Sequence, residues 1–168
     1  MRLIDSGELL WNQGAGPLSI GGREERNQRS FPQPLYASPQ PCDYQGMKTV
    51  AVIGASADRT KFGNKAVRAY QQQGYQVFPV NPKATELEGL AVFPSISAVP
   101  IRPNLVSIYL PPALLLKVLP EIAIKGCDEL WLNPGTVSSE VLAEAERLGL
   151  NVVQACSIVG VGLSPSQL

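Results

Sequence analysis

Residues 47–163 alternate between short apolar runs and amphipathic segments, a pattern typical of strands that alternate with helices. The runs have the length and β-branched content of buried strands, and they are Thr49–Ile53, 75–80, 105–110, Glu129–Leu132 and 151–154. The segments between them predict helices at 64–73, 111–125 and 138–148. The pattern therefore predicts an α/β fold: one Rossmann-like domain whose five-stranded parallel sheet carries helices on both faces.

The connections in this pattern bring several polar loops together. Residues 88–93 predict a loop or minor strand, and residues 95–99 predict a short helical turn. Counting the five strands along the chain, we expect the order 3-2-1-4-5, in which a ligand sits outside the carboxyl ends of the strands, beside the first one. The loops expected at that edge are 54–63, 81–83, 110–113, 133–137 and 155–159.

The ends of the chain differ from the domain. Residues 1–46 show no lasting period and include a tract rich in Pro, Gln and Ser at 30–41. Two interpretations stay open: a flexible or disordered extension, or a segment that is not normally translated, because Met47 stands directly before the first strand. We predict domain boundaries at 47 and 163, with residues 164–168 as a short tail.

Composition excludes several function classes. Lys plus Arg and Asp plus Glu number 14 each, so the chain lacks the basic excess typical of nucleic-acid or anionic-membrane binding. No apolar run approaches the ~20 residues that span a bilayer, and no signal peptide is visible. Cys42, Cys127 and Cys156 are widely spaced and odd in number, which predicts a reducing cytoplasm. The chain has no histidine, which excludes histidine metal ligands and histidine acid–base catalysis.

The first strand leads into a loop suited to phosphate. Thr49–Ile53 meets Gly54-Ala55-Ser56, continues through a polar loop that contains Lys61, and enters a helix at Gly63-Asn64. Unpaired N–H groups and the helix dipole favour an anion at such a helix start. Gly54 permits close approach, Ser56 adds a hydroxyl and Lys61 adds a cation. We therefore predict a phosphorylated nucleotide cofactor.

Two features narrow the choice of nucleotide. The loop lacks the second and third glycines of Gly-x-Gly-x-x-Gly, and no Gly-Lys-Ser/Thr of a Walker A loop follows it. An NAD site also expects an acid after the second strand, where this chain has Asn81-Pro82-Lys83. A lysine there suits a ribose that bears a phosphate. This leaves NADP or coenzyme A.

Several short segments, taken in order, carry a family resemblance. They are Val52-Ile53-Gly54-Ala55-Ser56, Lys61-Phe62-Gly63-Asn64, Gly74-Tyr75-Gln76-Val77-Phe78-Pro79-Val80-Asn81-Pro82-Lys83, Leu87-Glu88-Gly89, Ile108-Tyr109-Leu110-Pro111-Pro112, Leu130-Trp131-Leu132-Asn133-Pro134-Gly135 and Cys156. With them, residues 47–160 resemble the small bacterial and archaeal CoA-binding proteins. They are also similar to the CoA-binding domain of the succinyl-CoA synthetase alpha subunit.

The resemblance implies a set of cofactor-binding residues. Gly54, Ser56 and Lys61 would lie at the pyrophosphate, Pro82 and Lys83 near the adenosine end, and Leu110, Pro111 and Pro112 beside the ligand. Ala55, Asn64, Asn81 and Cys156 complete the predicted set. The chain departs from the family pattern at Ser157, where many members have Pro, and at Asn133-Pro134-Gly135, where many have Gln or Glu. The synthetase's second domain is absent, so the resemblance implies no ligase chemistry.

Three functions remain at this point. The first is a CoA or acyl-CoA binding protein without catalytic activity of its own, or dependent on a partner; we name no catalytic residue. The second is an NADP-binding oxidoreductase or a fragment of one. The third is a redox-sensitive regulator whose Cys156 thiol faces the CoA thiol, against the simpler interpretation of Cys156 as a small buried hydrophobe. A homo-oligomer or a protein partner stays open.

Overall fold

The computed structural model describes residues 46–168, so the predictions for residues 1–45 lie outside the described residues. Five strands form one parallel sheet, and they are β1 (Thr49–Ile53), β2 (Gln76–Val80), β5 (Leu105–Ile108), β6 (Glu129–Leu132) and β7 (Val152–Val153). Between β2 and β5, a small antiparallel hairpin joins β3 (Glu86–Leu87) to β4 (Leu90–Ala91). The predicted Rossmann-like α/β fold is confirmed.

Helices follow the strands as predicted, with additions near the end of the chain. The three long ones are α1 (Phe62–Gln72), α2 (Pro112–Lys125) and α3 (Ser139–Arg147). Residues 95–99, where a short helical turn is predicted, form two consecutive hydrogen-bonded turns. Two short helices were not predicted, α4 (Ser157–Gly160) and a 3-10 turn (Pro165–Gln167), because their Gly, Ser and Pro content suggested a loop. None of the helices between residues 46 and 168 has both the length and the apolar character needed to cross a bilayer.

The predicted strand order was wrong. The sheet runs β2-β1-β5-β6-β7, so the third predicted strand pairs with β1 and not with β2. The outer edge of β2 is already occupied: Phe93 N–H donates to the Pro79 carbonyl, and Asn81 N–H donates to the Phe93 carbonyl, both at 2.9 Å. This single parallel bridge, Val80 to Phe93, takes the place of a full strand. The chain then crosses over to start β5 on the other side of β1.

The core lies on both faces of the sheet. On one face, buried residues of α2 and α3, such as Leu119 and Val141, pack against residues such as Val106. On the other face, α1 and α4 contribute Val67 and Ile158 against Val52. The carboxyl ends of β1, β2, β5 and β6 therefore meet at one edge between the two helix layers, where the predicted loops begin.

Candidate functional site

Two glycines set the path of the chain after β1. Gly54 has φ +87°, and a Cβ built on it would lie 2.6 Å from the Tyr109 carbonyl oxygen. A Cβ on Gly63, in the first turn of α1, would collide with the carbonyl oxygen of Gly54 itself. The helix start therefore packs directly on the strand end. Gly63 provides the close helix–strand packing that the third glycine provides in a dinucleotide-binding loop, at a longer spacing.

Two side-chain amides hold the loop between these glycines. Asn81 Nδ2 donates to the Ala55 carbonyl at 2.6 Å, and Asn64 Nδ2 donates to the Ser56 carbonyl at 2.9 Å. In a trans peptide the N–H points away from the C=O, so these bonds direct the N–H groups of Ser56 and Ala57 to the opposite side. No group in the described part of the chain accepts a hydrogen bond from either N–H.

The N-terminus of α1 lacks a side-chain cap. Lys61 precedes the helix in an extended conformation and gives no capping bond, whereas Ser138 Oγ caps α3 by accepting from Val141 N–H at 3.3 Å. Within residues 46–168, the N–H groups of Phe62 and Gly63 also have no acceptor. Free N–H groups, the positive end of the helix dipole and the exposed Lys61 side chain therefore favour an anion here.

The acidic residue of this loop, Asp58, is hydrogen-bonded within the loop. Asp58 Oδ1 accepts from the N–H of Thr60 at 3.0 Å and from its hydroxyl at 2.7 Å. These hydrogen bonds hold the pKa of Asp58 below its usual value, so the carboxylate stays charged and shapes the turn that leads into Lys61. Asp58 thus acts on the loop's conformation.

A first cavity, of about 310 Å³, lies over the helix start. Its lining joins the loop after β1 to the ends of β5 and β6, and the residues are Gly54, Lys61, Phe62, Gly63, Tyr109, Leu110, Pro111, Pro134, Gly135 and Thr136. The Phe62 side chain is 56% exposed at the rim, although it is large and apolar. A partly apolar chain could therefore lie along Phe62 while an anion reaches the free N–H groups.

A second cavity, of about 450 Å³, begins on the other side of Gly54. Most of its lining is apolar, and the residues are Ile53, Gly54, Val80, Asn81, Pro82, Lys83, Pro94, Ser95, Ile96, Leu110, Leu114, Lys117, Val118 and Glu121. Asn81 Oδ1 accepts from Lys83 N–H at 2.8 Å, which fixes the turn that carries the Lys83 ammonium to this cavity. Gly54 and Leu110 line both cavities, so an extended ligand could occupy the two together.

A larger cavity, of about 750 Å³, lies at the opposite edge of the sheet. Its lining includes Thr49, Leu105 and Glu129, the first residues of β1, β5 and β6. We place the site at the carboxyl edge instead, because open parallel sheets bind ligands there. The free N–H groups and the cations Lys61 and Lys83 also lie at that edge.

Beneath the first cavity lies a buried polar network. Asn133 is 2% exposed, and its Nδ2 donates to Ser107 Oγ at 3.0 Å and to the Ile108 carbonyl at 2.9 Å. Ser157 Oγ lies 2.8 Å from Ser107 Oγ and 3.0 Å from the Tyr109 hydroxyl. Burial raises the pKa of Tyr109, which keeps its hydroxyl protonated. The network fixes the ends of β5 and β6 without placing a charge there.

The structure brings most of the predicted residues together. Eight line the two cavities or hold the loop between them: Gly54, Ala55, Lys61, Asn81, Pro82, Lys83, Leu110 and Pro111. Ser56 contributes its backbone N–H. Asn64 is fully buried, and its side-chain amide is hydrogen-bonded to other protein groups, so Asn64 supports the loop. Two predicted residues, Pro112 and Cys156, do not line these cavities. Pro112 is the first residue of α2, and Cys156 packs against the core beside α1.

Residues of α2 were missed by the sequence prediction. Leu114, Lys117, Val118 and Glu121 all line the second cavity. They follow Leu110 at spacings of three and four, which place side chains on one face of a helix, so the predicted helix already contained the signal. Glu121 Oε1 accepts from Ser97 N–H at 3.1 Å, and hydrogen bonding from Ser97 lowers its pKa.

Comparison with known proteins agrees with this geometry. A family model described as CoA binding domain matches residues 48–161. The chain belongs to this family. Its relatives include the ADP-forming acetate–CoA ligases I and II of Archaeoglobus fulgidus, at 31% identity over 116 residues and 36% over 123 residues. The resemblance predicted from sequence is confirmed.

The extent of these matches differs between relatives. The two ligase matches cover 63% and 71% of this chain but only 17% and 18% of the ligases. A solved structure of a conserved hypothetical protein from Pyrococcus furiosus superimposes with a TM-score of 0.63 at 30% identity, covering 68% of this chain and 99% of that one. The same fold thus also occurs in a chain scarcely larger than the region that superimposes.

Proposed function

We propose that this protein binds CoA or acyl-CoA across the two cavities and has no catalytic activity of its own. The observation that carries the proposal is the pair of cavities sharing Gly54 and Leu110, with unpaired N–H groups between them. CoA has a flat base with a phosphorylated ribose, a pyrophosphate and a long, partly apolar arm. This order of chemical groups matches the order of the cavities.

The second cavity suits the phosphorylated adenosine end. Apolar side chains such as Ile96 and Val118 can cover the faces of a purine, and Lys83 stands where a dinucleotide site would have an acid. Lys117 adds a second cation to the same cavity. A ribose with a free 2′,3′-diol gains nothing from these lysines, whereas one bearing a phosphate gains an ionic contact.

The loop and the first cavity suit the rest of the ligand. The pyrophosphate would accept from the N–H groups of Ser56, Ala57, Phe62 and Gly63, with Lys61 beside it. The pantetheine arm would then run past Phe62 towards Pro134 and Thr136. In this arrangement the side-chain amides of Asn64 and Asn81 support the loop.

Binding without catalysis is the simplest function for these residues. The chain has no histidine, and the two ligases it matches are about four times as long as this chain. We include in the proposal that any reaction of the bound thioester takes place on a protein partner, and that the protein acts in a reducing cytoplasm. Cys127 and Cys156 are both free thiols. Nothing in the geometry favours a redox role for Cys156, which lines neither cavity.

The deciding experiment is a ligand comparison by titration calorimetry. CoA, NADP and NAD are titrated into the full chain, and we expect CoA to bind more tightly than either dinucleotide. Mass spectrometry of the nucleotide released on denaturing the purified protein gives an independent identification. NADP binding at least as tight as CoA would overturn the proposal in favour of the oxidoreductase.

A further inference from the structure

The turn of the β3–β4 hairpin contains an unfavourable backbone conformation. Two residues, Glu88 and Gly89, connect the strands, and both have positive φ, at +49° and +76°. Two-residue hairpins of this kind strongly prefer Asn-Gly, Asp-Gly or Gly-Gly. Glu88 is the one residue other than glycine with positive φ in the described part of the chain. The contacts of the glutamate side chain must therefore explain why this residue occupies an unfavourable backbone conformation.

Glu88 is bound at three points, two on its side chain and one on its backbone. Its Oε1 accepts from Asn64 Nδ2 at 3.0 Å, its Oε2 lies 3.5 Å from Arg59 Nη1, and its backbone carbonyl accepts from Gln71 Nε2 at 3.4 Å. The side chain is only 18% exposed. The hairpin turn is thus attached to α1 and to the loop before it.

These contacts continue into the phosphate loop. Asn64 uses its second amide hydrogen on the Ser56 carbonyl and its Oδ1 on Arg68 Nε at 2.9 Å. Arg68 Nη2 in turn donates to the Arg59 carbonyl at 3.0 Å. Glu88 therefore reaches both ends of the loop segment 56–59, one through Asn64 and the other through the Arg59 side chain.

We propose that Glu88 is a positioning residue for the phosphate site: its carboxylate fixes Asn64 and Arg59 and so holds loop 56–61 ready for the pyrophosphate before ligand arrives. This inference rests on the proposed function for the identity of the ligand. The alternative is that Glu88 only fastens the hairpin to α1. A glycine would form the turn better, so the cost of the strained backbone is explained by what the side chain does for the loop.

The variant Glu88→Gly separates these roles, because it relieves the backbone and removes the carboxylate together. We expect the thermal midpoint to stay within a few degrees of the wild type. We expect CoA affinity to fall about fivefold or more, because the loop loses preorganisation equivalent to about one hydrogen bond. Glu88→Gln keeps an acceptor for Asn64 but removes the charge beside Arg59, so we expect a smaller loss. Glu86→Gln, in the same hairpin and without loop contacts, is the matched control for net charge and should bind like the wild type.

A second measurement makes the test independent of CoA. Hydrogen exchange without ligand reports on the N–H groups of Thr60 and Lys61, which bond to Asp58, and of Asn64 and Lys65, which bond to the Lys61 carbonyl. We expect Glu88→Gly to raise exchange at these four positions, with core strands unchanged. If exchange rises but the wild type does not bind CoA, the positioning role stands and the proposed ligand is wrong. If exchange at the loop is unchanged, or if Glu86→Gln weakens CoA as much as Glu88→Gln, the positioning role is overturned.

Discussion

The side-chain oxygen of Asn133 accepts the backbone N–H of Ser157 at 2.8 Å. The family resemblance implies a proline at position 157 in many members, and proline has no N–H to donate. With Ser157, this buried N–H needs an acceptor, and Asn133 supplies one. This hydrogen bond therefore joins the loop after β6 to the start of α4.

This pairing predicts a large loss of stability for Asn133→Ala. The variant leaves the Ser157 N–H without its acceptor and removes two further donations, to Ser107 and Ile108. We expect the free energy of unfolding to fall by about 2–4 kcal/mol, as for other broken buried networks. Urea denaturation measures the loss, and Asn151→Ala, at an exposed site, is the control, with about 1 kcal/mol or less.

A double-mutant cycle with Ser157→Pro tests the coupling itself. Proline is acceptable at the first residue of a helix, and it removes the N–H that Asn133 serves. The two losses should therefore sum to more than the loss in the double variant, by about 1 kcal/mol or more. Strict additivity would show that the two positions vary independently.

Gly63→Ala should destabilise the protein although alanine is the better helix former. Propensity alone favours alanine by up to about 1 kcal/mol, but the new Cβ would collide with the Gly54 carbonyl oxygen. Since backbone cannot give way cheaply, we expect a net loss of about 1–3 kcal/mol and weaker CoA binding. Thermal melts and calorimetry give both quantities.

The control for Gly63→Ala is Gly162→Ala. Gly162 has φ +84°, and no atom lies within 4 Å of its hypothetical Cβ. Its substitution should cost about 1–2 kcal/mol through backbone strain and leave CoA affinity unchanged. A Gly63→Ala variant as stable as the wild type would mean that α1 can move away from β1, contrary to the tight packing.

How much of this site the sequence predicts depends on the range of the contacts. The Gly54 loop, the Asn81-Pro82-Lys83 turn and the helix at Pro112 follow from local patterns, and the structure places them as expected. The strand order does not follow from local patterns, because it depends on one non-local bridge between Val80 and Phe93. No hydrophobic periodicity in the sequence marks that bridge. The support of Ser56 by Asn64 and of Asn64 by Glu88 is likewise invisible, since the three residues come from a loop, a helix and a hairpin.

Lys83→Ala tests the contact with the phosphorylated ribose. A charge-assisted hydrogen bond to phosphate is worth about 1.5–3 kcal/mol, so CoA affinity should fall about tenfold or more. The loss for 3′-dephospho-CoA should be smaller if the 3′-phosphate is the partner. Lys48→Ala, at the opposite edge of the sheet, is the control and should change neither affinity. Equal losses for both ligands would move the contact to the pyrophosphate.

The Cys127 thiol should react slowly until the pH is well above neutral. Burial raises its pKa from the ordinary 9.0 to about 11, although nearby Arg102 acts in the opposite direction. The thiolate is the reactive form, so alkylation of Cys127 in the native protein should be far slower at about pH 8 than in the unfolded chain, and should rise about tenfold per pH unit up to its pKa. Timed iodoacetamide labelling with peptide mass spectrometry measures both rates, and Cys127→Ser identifies the peptide.

The same shift predicts how stability depends on pH. Because the folded-state pKa lies above the unfolded one, the unfolded thiol loses its proton first, near pH 9. The contribution of Cys127 to stability is therefore complete below pH 9 and is lost as the pH rises from 9 through 11. Urea denaturation at several pH values should show a smaller decline over that interval for Cys127→Ser than for the wild type. Parallel declines in the two proteins would mean that the thiol titrates at its ordinary pKa and that its surroundings admit water freely.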